Sequence, residues 1–183
     1  MNILEIEATH KNKGTLEYFK ELRMGHVYQT IATDVVKSTI VLFLSEVLHH
    51  SIHEEEKNER LFSFLETAFL WLDEHSEVSN FHLIFLLEFT KFLGFYPNLT
   101  DENFNYFEVT EGIFTPFQGI SCLSEHETML LKKLLQLKFD HTQKIFSVGE
   151  RQILLKFLLD YYAIHLDGFK RPKSVDVLKE VFA

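Results

Sequence analysis

From residue 34 onward, apolar residues recur every three or four positions, which is the spacing of one face of an α-helix. The first such run contains Val36, Ile40, Phe43, Leu44, Val47 and Leu48. The chain has only seven Gly and three Pro in 183 residues, too few for the many turns of a β-sandwich or β-barrel. These features predict a mainly α fold, a bundle of about six helices with a small inserted β-hairpin.

Residues that favour helix ends delimit the first three predicted helices. Thr33 or Asp34 can cap the first helix, and Asn58 can cap the second, which should end near His75. Gly94 stands where a left-handed C-cap would end the third helix. That helix is apolar on nearly every side, so we expect it to be central and buried. The first and third helices are predicted over residues 34–52 and 80–93.

Two capping boxes mark the starts of later helices. In each, a Ser stands three residues before a Glu, so that the hydroxyl and the carboxylate can both bond to free N–H groups of the first turn. The pairs are Ser124 with Glu127 and Ser147 with Glu150. They predict helices that continue through 129–137 and over 147–166, and Ser174 is expected to cap a short last helix.

Two segments are predicted to be β-hairpins. Residues 3–8 and 16–23 flank a polar link that ends in glycine, although the second arm could equally be a helical turn. A lone two-stranded hairpin is marginal in water, so these strands would need partners in the following domain or in residues that this chain does not contain. A smaller hairpin is predicted between helices, with arms 106–109 and 113–115 around Gly112.

Charge is distributed unevenly along the chain. Residues 1–24 sum to zero, residues 25–131 to −13 and residues 132–183 to +4. Nucleic-acid affinity rests chiefly on Lys and Arg that neutralise phosphates, so the acidic body argues against a phosphate-binding surface over the whole domain. Any anionic partner is expected to bind near the C-terminal third.

The compartment is inferred from cysteine use and from the absence of targeting signals. The single cysteine, Cys122, cannot form an intrachain disulfide or supply the thiolate cluster of a structural zinc site. No apolar run reaches the roughly 18 residues of a membrane span, and the N-terminus lacks the order of charges and apolar residues of a signal peptide. We therefore expect a cytoplasmic protein that makes no membrane contact.

Catalytic and metal-binding patterns are weak in this sequence. His49 and His53 would share one helix face and could both bind a metal, but a solvated helix end explains the same spacing. Cys122 is expected to be a small buried or interfacial apolar residue rather than a nucleophile. The sequence contains no HExxH, G-x-S-x-G or glycine-rich phosphate motif. It predicts no enzyme and no cofactor, and a metal-dependent enzyme using His49 and His53 stays as an alternative.

The 19 Phe residues raise the question of base stacking on single-stranded nucleic acid. Many of them follow helical spacing, which is typical of core residues. Those predicted to lie in the core are Phe62, Phe69, Phe85, Phe89, Phe92, Phe157 and Phe182.

Three stretches together resemble the RecO family of DNA repair proteins, in the form that lacks zinc. The first is 93–98 (Leu-Gly-Phe-Tyr-Pro-Asn), the second combines 106–109 with 112–114, and the third is 161–169 running on to 173–178. The resemblance implies that residues 1–24 are the end of an N-terminal OB barrel and that residues 25–183 are the helical C-terminal domain. About 50 to 60 further codons upstream would be expected from the strands that a five-stranded barrel still needs.

The resemblance implies a recombination mediator and not an enzyme. Such a protein binds single- and double-stranded DNA, anneals complementary strands, pairs with RecR, and helps RecA displace the single-stranded-DNA-binding protein. Most of the barrel that supplies the family's DNA surface is missing here, so DNA binding is expected to be weak or lost. Residues 99–105 contain none of the four-cysteine zinc motif of some members, so no metal is transferred.

The resemblance also implies a binding site for a peptide. In the family, the helical domain can hold the acidic, Phe-tipped tail of the single-stranded-DNA-binding protein in an apolar pocket fringed by basic side chains. Arg151 lies near where the family places a basic residue, whereas Leu83 stands where another basic contact is found elsewhere. The residues expected to form this pocket are Arg151, Leu155, Lys156 and Lys132. An unrelated helical scaffold that binds an apolar partner helix is the alternative.

Overall fold

A computed structural model describes residues 2–9, 18–52, 57–140 and 145–182. These residues form six α-helices and two separate antiparallel hairpins, which confirms the mainly α prediction. In chain order the elements are β1 (Leu4–Ala8), β2 (Phe19–Met24), α1 (Val35–Ser51), α2 (Glu59–Glu74), α3 (Phe81–Leu93), β3 (Tyr106–Glu108), β4 (Ile113–Thr115), α4 (Glu125–Leu135), α5 (Val148–His165) and α6 (Val175–Val181).

Helix α3 is the centre of the bundle, as its apolar sequence predicts. It contacts α1, α2, α4 and α5, and nine of its 13 residues are buried. The Tyr162 hydroxyl on α5 donates a hydrogen bond of 2.7 Å to the carbonyl oxygen of Leu86. This bond satisfies a hydroxyl that would otherwise cost free energy in an apolar interior. The packing of α5 on α3 therefore sets the position of the long helix.

The predicted caps of the first three helices are present. The Asp34 carboxylate accepts from the Lys37 N–H at 3.0 Å, and the Asn58 side chain accepts from the Leu61 N–H at 3.0 Å. Gly94 ends α3 with a φ of 85°, a left-handed conformation that glycine adopts without steric cost. Each of these ends agrees with its predicted position within about one residue.

Both capping boxes are confirmed. The Ser124 N–H donates to the Glu127 carboxylate at 2.9 Å, and the Ser147 N–H donates to that of Glu150 at 2.7 Å. Hydrogen bonds from Ser124 lower the pKa of Glu127, and those from Ser147 lower the pKa of Glu150, because they favour the charged carboxylate. Helix α4 ends at Leu135, two residues before the predicted end.

Two predictions about single residues are wrong. Ser174 precedes α6, but its side chain makes no capping bond and its backbone is helical, with φ −70° and ψ −4°. A capping serine needs an extended backbone to direct its hydroxyl at the first turn. Phe62, predicted as a core residue, is 53% exposed. It lies near the start of α2, two turns before the buried Phe69, where the neighbouring helices do not cover it.

The first hairpin has strands in both arms, so the helical alternative for the second arm is wrong. Leu4 pairs with Met24 and Ile6 pairs with Leu22, which places apolar side chains on one face of the hairpin. All four are exposed. An apolar face of this kind is normally covered by further strands or by another domain. The assignment of residues 1–24 to a separate domain stays a prediction.

The second hairpin is the small one predicted between α3 and α4. Phe107 pairs with Phe114, and both side chains are buried. Gly112 in the turn has a φ of 66°. A Cβ built on Gly112 would lie 2.6 Å from the Tyr161 hydroxyl, so this close approach of the turn to α5 requires glycine.

A buried carboxylate attaches the segment between β2 and α1 to the helical body. Asp73 accepts the backbone N–H groups of Gln29 and Thr30 at 2.8 Å and that of Ile31 at 2.9 Å. Lys37 Nζ donates to the Asp73 carbonyl oxygen at 2.9 Å. Burial by itself raises the pKa of Asp73, but the hydrogen bonds outweigh it and lower the pKa to about 2. The carboxylate therefore stays ionised in its buried position.

Candidate functional site

Helix α5 carries three of the four residues predicted to form the peptide pocket, but they face different ways. Arg151 and Leu155 are four residues apart and lie on one face of the helix, whereas Lys156 is turned by about 100° from Leu155. Leu155 is buried under Arg151 at the side of α5 that faces α6. The capping box at Ser147 sets the start of the helix and so the position of Arg151 in its first turn.

Arg151 stands at the rim of a surface hollow between α5 and α6. Its Nη1 donates to the carbonyl oxygen of Phe146 at 2.8 Å, and its guanidinium carbon is 5.7 Å from the centre of the Phe182 ring. Burial lowers the pKa of Arg151, because desolvation disfavours the cation. Its Nε is buried and has no hydrogen-bond partner among the described residues. Arg151 as a whole is only partly buried, so the outer part of its guanidinium can still meet a ligand.

His82 on α3 forms the floor behind Arg151, and sequence reasoning did not assign it a role. It is 2% exposed, and its ring stacks on Phe182 with 5.0 Å between ring centres and meets Phe43 edge-on at 6.5 Å. Its Nδ1 is buried and has no hydrogen-bond partner within the described part of the chain. Burial, and then the charge of Arg151, lower the pKa of His82 to about 3, so the ring is neutral at physiological pH.

We call this feature the Arg151 hollow, and it has an open part and a narrow crevice. The open part has a volume of about 540 Å³, and the crevice beneath it, which His82 and Leu155 help to line, has a volume of about 10 Å³. Arg151 at the rim and Lys179 at the crevice border an aromatic and aliphatic floor, which suits a ligand that has both an apolar group and a carboxylate. The open part is lined by Ser79, Phe146, Ser147, Val148, Arg151, Val181 and Phe182.

Lys156 lines a different depression, which we call the α5 groove. Lys156 Nζ pairs with the Asp160 carboxylate at 2.9 Å, and Arg171 pairs with the other oxygen of Asp160. The groove has a volume of about 630 Å³, and its lining includes Ile120, Cys122, Leu123, Lys156, Phe157 and Asp160.

Lys132 lies apart from both features. Its Nζ is 5.5 Å from the centre of the Phe114 ring on β4. The structure therefore brings Arg151 and Leu155 together and leaves Lys156 and Lys132 elsewhere on the surface. Leu83, at the position where the resemblance implies another basic contact, is completely buried in α3.

The residues of the metal hypothesis are only partly described. His49 is exposed, and the neighbouring His50 donates through Nδ1 to the carbonyl oxygen of Lys170 at 2.7 Å. His53 lies outside the described residues. The described residues contain no group of three or more His, Cys, Asp or Glu that could hold a metal ion. The Cys122 thiol is half-buried, with its Sγ 3.8 Å from the Phe117 carbonyl oxygen.

His82 is expected to make stability depend on pH. The unfolded chain binds a proton at His82 below about pH 6.5, whereas the folded chain does so only near pH 3. Stability from this residue is therefore complete above pH 6.5 and falls by about 1.4 kcal/mol per pH unit below it. Arg151 and Lys179 are the cationic groups that line the crevice with His82. Urea unfolding between pH 7 and 5 should show a loss of about 2 kcal/mol from His82.

The matched variant for this prediction is His82→Gln, which keeps a polar side chain but cannot titrate. The other nine His residues are common to both proteins, so their contributions cancel in the difference. Parallel stability profiles for the two proteins would show that His82 is protonated in the folded chain as easily as in the unfolded one.

No helix in the described ranges combines the length and the apolar character that crossing a membrane requires.

Comparisons with known proteins identify the family. Residues 32–174 match the family model described as "Recombination protein O C terminal". No solved structure was found to match the chain.

Curated relatives extend the match over the whole chain. The "DNA repair protein RecO" of Flavobacterium johnsoniae is 66% identical over 183 residues, which are 100% of this chain and 77% of the relative. The protein of the same name from Flavobacterium psychrophilum is 62% identical, again over 100% of this chain and 77% of the relative. That of Christiangramia forsetii is 41% identical over 98% of this chain and 76% of the relative. The chain therefore belongs to the RecO family of DNA repair proteins.

Proposed function

We propose that this chain acts in DNA repair and recombination as a mediator that binds partners and catalyses no reaction itself. Its helical domain binds the acidic, Phe-tipped tail of the single-stranded-DNA-binding protein at the Arg151 hollow. The observation that carries this proposal is the Arg151 guanidinium, which is only partly buried and lies over the Phe182 ring at the rim of an aromatic floor. Membership of the RecO family supports the repair role.

The chemistry of the hollow fits the two parts of such a tail. A phenyl ring can pack on the aliphatic and aromatic side chains of the floor, where Leu155 and His82 lie. A carboxylate can accept from Arg151, and charge-assisted bonds of this kind are among the stronger ones in proteins. The net charge of +4 over residues 132–183 adds attraction for an acidic peptide over a longer range.

Lys156 and Lys132 then act at a distance rather than in the hollow. Lys156 is already paired with Asp160 in the α5 groove, so its contribution is expected to be small and sensitive to salt. The Lys132 ammonium group already makes a cation–π contact with the Phe114 ring. Both residues belong to the proposed site as sources of positive potential around Arg151 and Leu155.

The first hairpin supports a second part of the proposal, in which residues 1–24 are the end of an OB barrel and residues 25–183 the helical domain. The exposed apolar face that contains Ile6 and Leu22 requires a cover such as the remaining strands of a barrel. DNA binding through that barrel, pairing with RecR, and the loading of RecA belong to the same proposal. The cytoplasm is the proposed location.

Peptide titration tests the tail site. A labelled acidic peptide ending in Asp-Phe is expected to bind saturably at low salt, and Arg151→Ala should weaken binding by about 1 to 3 kcal/mol through loss of a charge-assisted contact. Lys156→Ala should weaken it by less than about 1 kcal/mol. Fluorescence anisotropy measures both effects.

Two controls make the result specific. Lys91→Ala removes a lysine on α3 that pairs with Glu88 at 2.7 Å and lines neither depression, so it should leave the affinity unchanged. A peptide ending in Asp-Ala should bind weakly, because the floor of the hollow loses its aromatic partner. Absence of saturable binding, or equal affinity of the Arg151→Ala variant, would remove the assignment.

A further inference from the structure

The Arg151 hollow already contains an aromatic ring that belongs to this chain. Phe182, the residue after α6, stacks on His82 at 5.0 Å between ring centres and lies below the Arg151 guanidinium at 5.7 Å. Its side chain lines both the open part of the hollow and the crevice. Phe182 therefore occupies part of the space beside Arg151 that the phenyl ring of a bound ligand would need.

The helix that carries Phe182 is short, and it packs chiefly on α1. Helix α6 has seven residues, and Leu178 is its one fully buried residue. Ser174 gives it no side-chain cap, and Val177 is largely exposed. A helix of this length has little stability of its own and depends on its tertiary contacts. Opening of its last turn should therefore cost much less free energy than unfolding of the bundle.

Two polar atoms in the same place lack partners within the described residues, namely Arg151 Nε and His82 Nδ1. Phe182 has no polar side-chain atom to offer them, so it fills space without satisfying either group. A ligand with a carboxylate could pair with Arg151 as well as fill the space. Phe182 is thus an incomplete occupant of the hollow.

We propose that Phe182 is an intramolecular plug of the Arg151 hollow, and that a Phe-tipped acidic peptide binds by displacing it. The contact is autoinhibitory, since the peptide must first open the last turn of α6. This inference rests on the proposed function for the identity of the peptide, but the plug itself is a property of the chain. The apparent affinity for any aromatic carboxylate is reduced by the fraction of molecules in which Phe182 is seated.

Removal of the ring tests the plug. Phe182→Ala is expected to bind the Asp-Phe peptide about 10-fold more tightly than the unchanged chain, the factor expected if Phe182 is seated in about 90% of molecules. A second probe, 3-phenylpropionate, combines a phenyl ring with a carboxylate and should show the same gain. Val177→Ala is the matched control, because it shortens an exposed side chain of α6 away from the hollow.

The two probes separate failure of the plug from failure of the proposed function. If Phe182→Ala gains affinity for 3-phenylpropionate, and Arg151→Ala in that background abolishes the gain, the plug stands even if the peptide does not bind. If Phe182→Ala gains affinity for neither probe, or if Val177→Ala gains as much, Phe182 is part of the wall of the hollow and the inference is wrong. Trp71 fluorescence during urea unfolding confirms that each variant is folded.

Discussion

Replacing Asp73 with alanine is expected to lower the free energy of unfolding by about 4 kcal/mol, the largest effect among the changes considered. The carboxylate accepts three backbone N–H groups, from Gln29, Thr30 and Ile31, and is 5% exposed. Removing it leaves three donors without this partner and releases the segment before α1. Urea unfolding followed by the fluorescence of Trp71, the single tryptophan, measures the loss.

The pH dependence of the same residue gives a second measurement. The pKa of Asp73 is lowered from 3.8 to about 2 on folding, so its stabilisation is complete above pH 3.8 and is lost as the pH falls toward 2. Asp73→Asn should remove this acid-dependent part and keep the shape of the side chain. Glu74→Ala, at the exposed neighbouring position, should change stability by less than about 0.5 kcal/mol. Equal losses for Asp73→Ala and Glu74→Ala would show that the hydrogen bonds contribute nothing.

Gly112→Ala is expected to destabilise the protein by about 3 kcal/mol. Part of this loss is the left-handed backbone of Gly112, with φ 66°, which alanine adopts at a cost of about 1 to 2 kcal/mol. The rest arises because the new Cβ would lie 2.6 Å from the Tyr161 hydroxyl, which donates to the Phe95 carbonyl oxygen at 2.9 Å. The hydroxyl must move and weaken that bond. Thermal or urea unfolding measures the change.

Gly168→Ala is the matched control for the steric part of this prediction. Gly168 also has a left-handed backbone, with φ 77°, but nothing lies within 4 Å of a Cβ built there. It should therefore lose only about 1 to 2 kcal/mol. Tyr161→Phe in the Gly112→Ala background should recover part of the steric cost, and a double-mutant cycle gives the coupling. Equal losses at Gly112 and Gly168 would contradict the contact with Tyr161.

The helices and most of their ends were predictable because the signals are local. Each capping box, at Ser124 and at Ser147, involves residues within four positions of one another, and Gly94 ends the helical turn next to it. The positions of these helix ends can therefore be read from neighbouring residues in the sequence. The largely apolar sequence of α3 likewise predicted its central position. The prediction for Ser174 failed because a serine caps a helix through its side chain when its backbone is extended, and the backbone of Ser174 is helical.

The candidate site was predictable only in part. Arg151 was identified by resemblance, whereas Phe182 was placed among core residues on spacing alone and His82 was given no role. A signal for His82 existed, since it is an ionisable residue inside an otherwise apolar run, but nothing in the sequence says which residues face it. Lys156 was predicted to lie in the pocket but does not. It follows Leu155 directly on α5, and adjacent helical residues point in different directions, so its side chain lines the α5 groove.

The amino-acid sequence by itself determined the helical class, the order of elements, both capping boxes and the family, since these depend on short-range patterns and on similarity along the chain. Only the tertiary structure decided that Asp73 holds a segment more than 40 residues away along the chain, and that Phe182 lies between His82 and Arg151. The physical reason is that burial and hydrogen bonding at these places join groups that are far apart along the chain. Their distances follow from how the helices pack on α3 and from no local pattern.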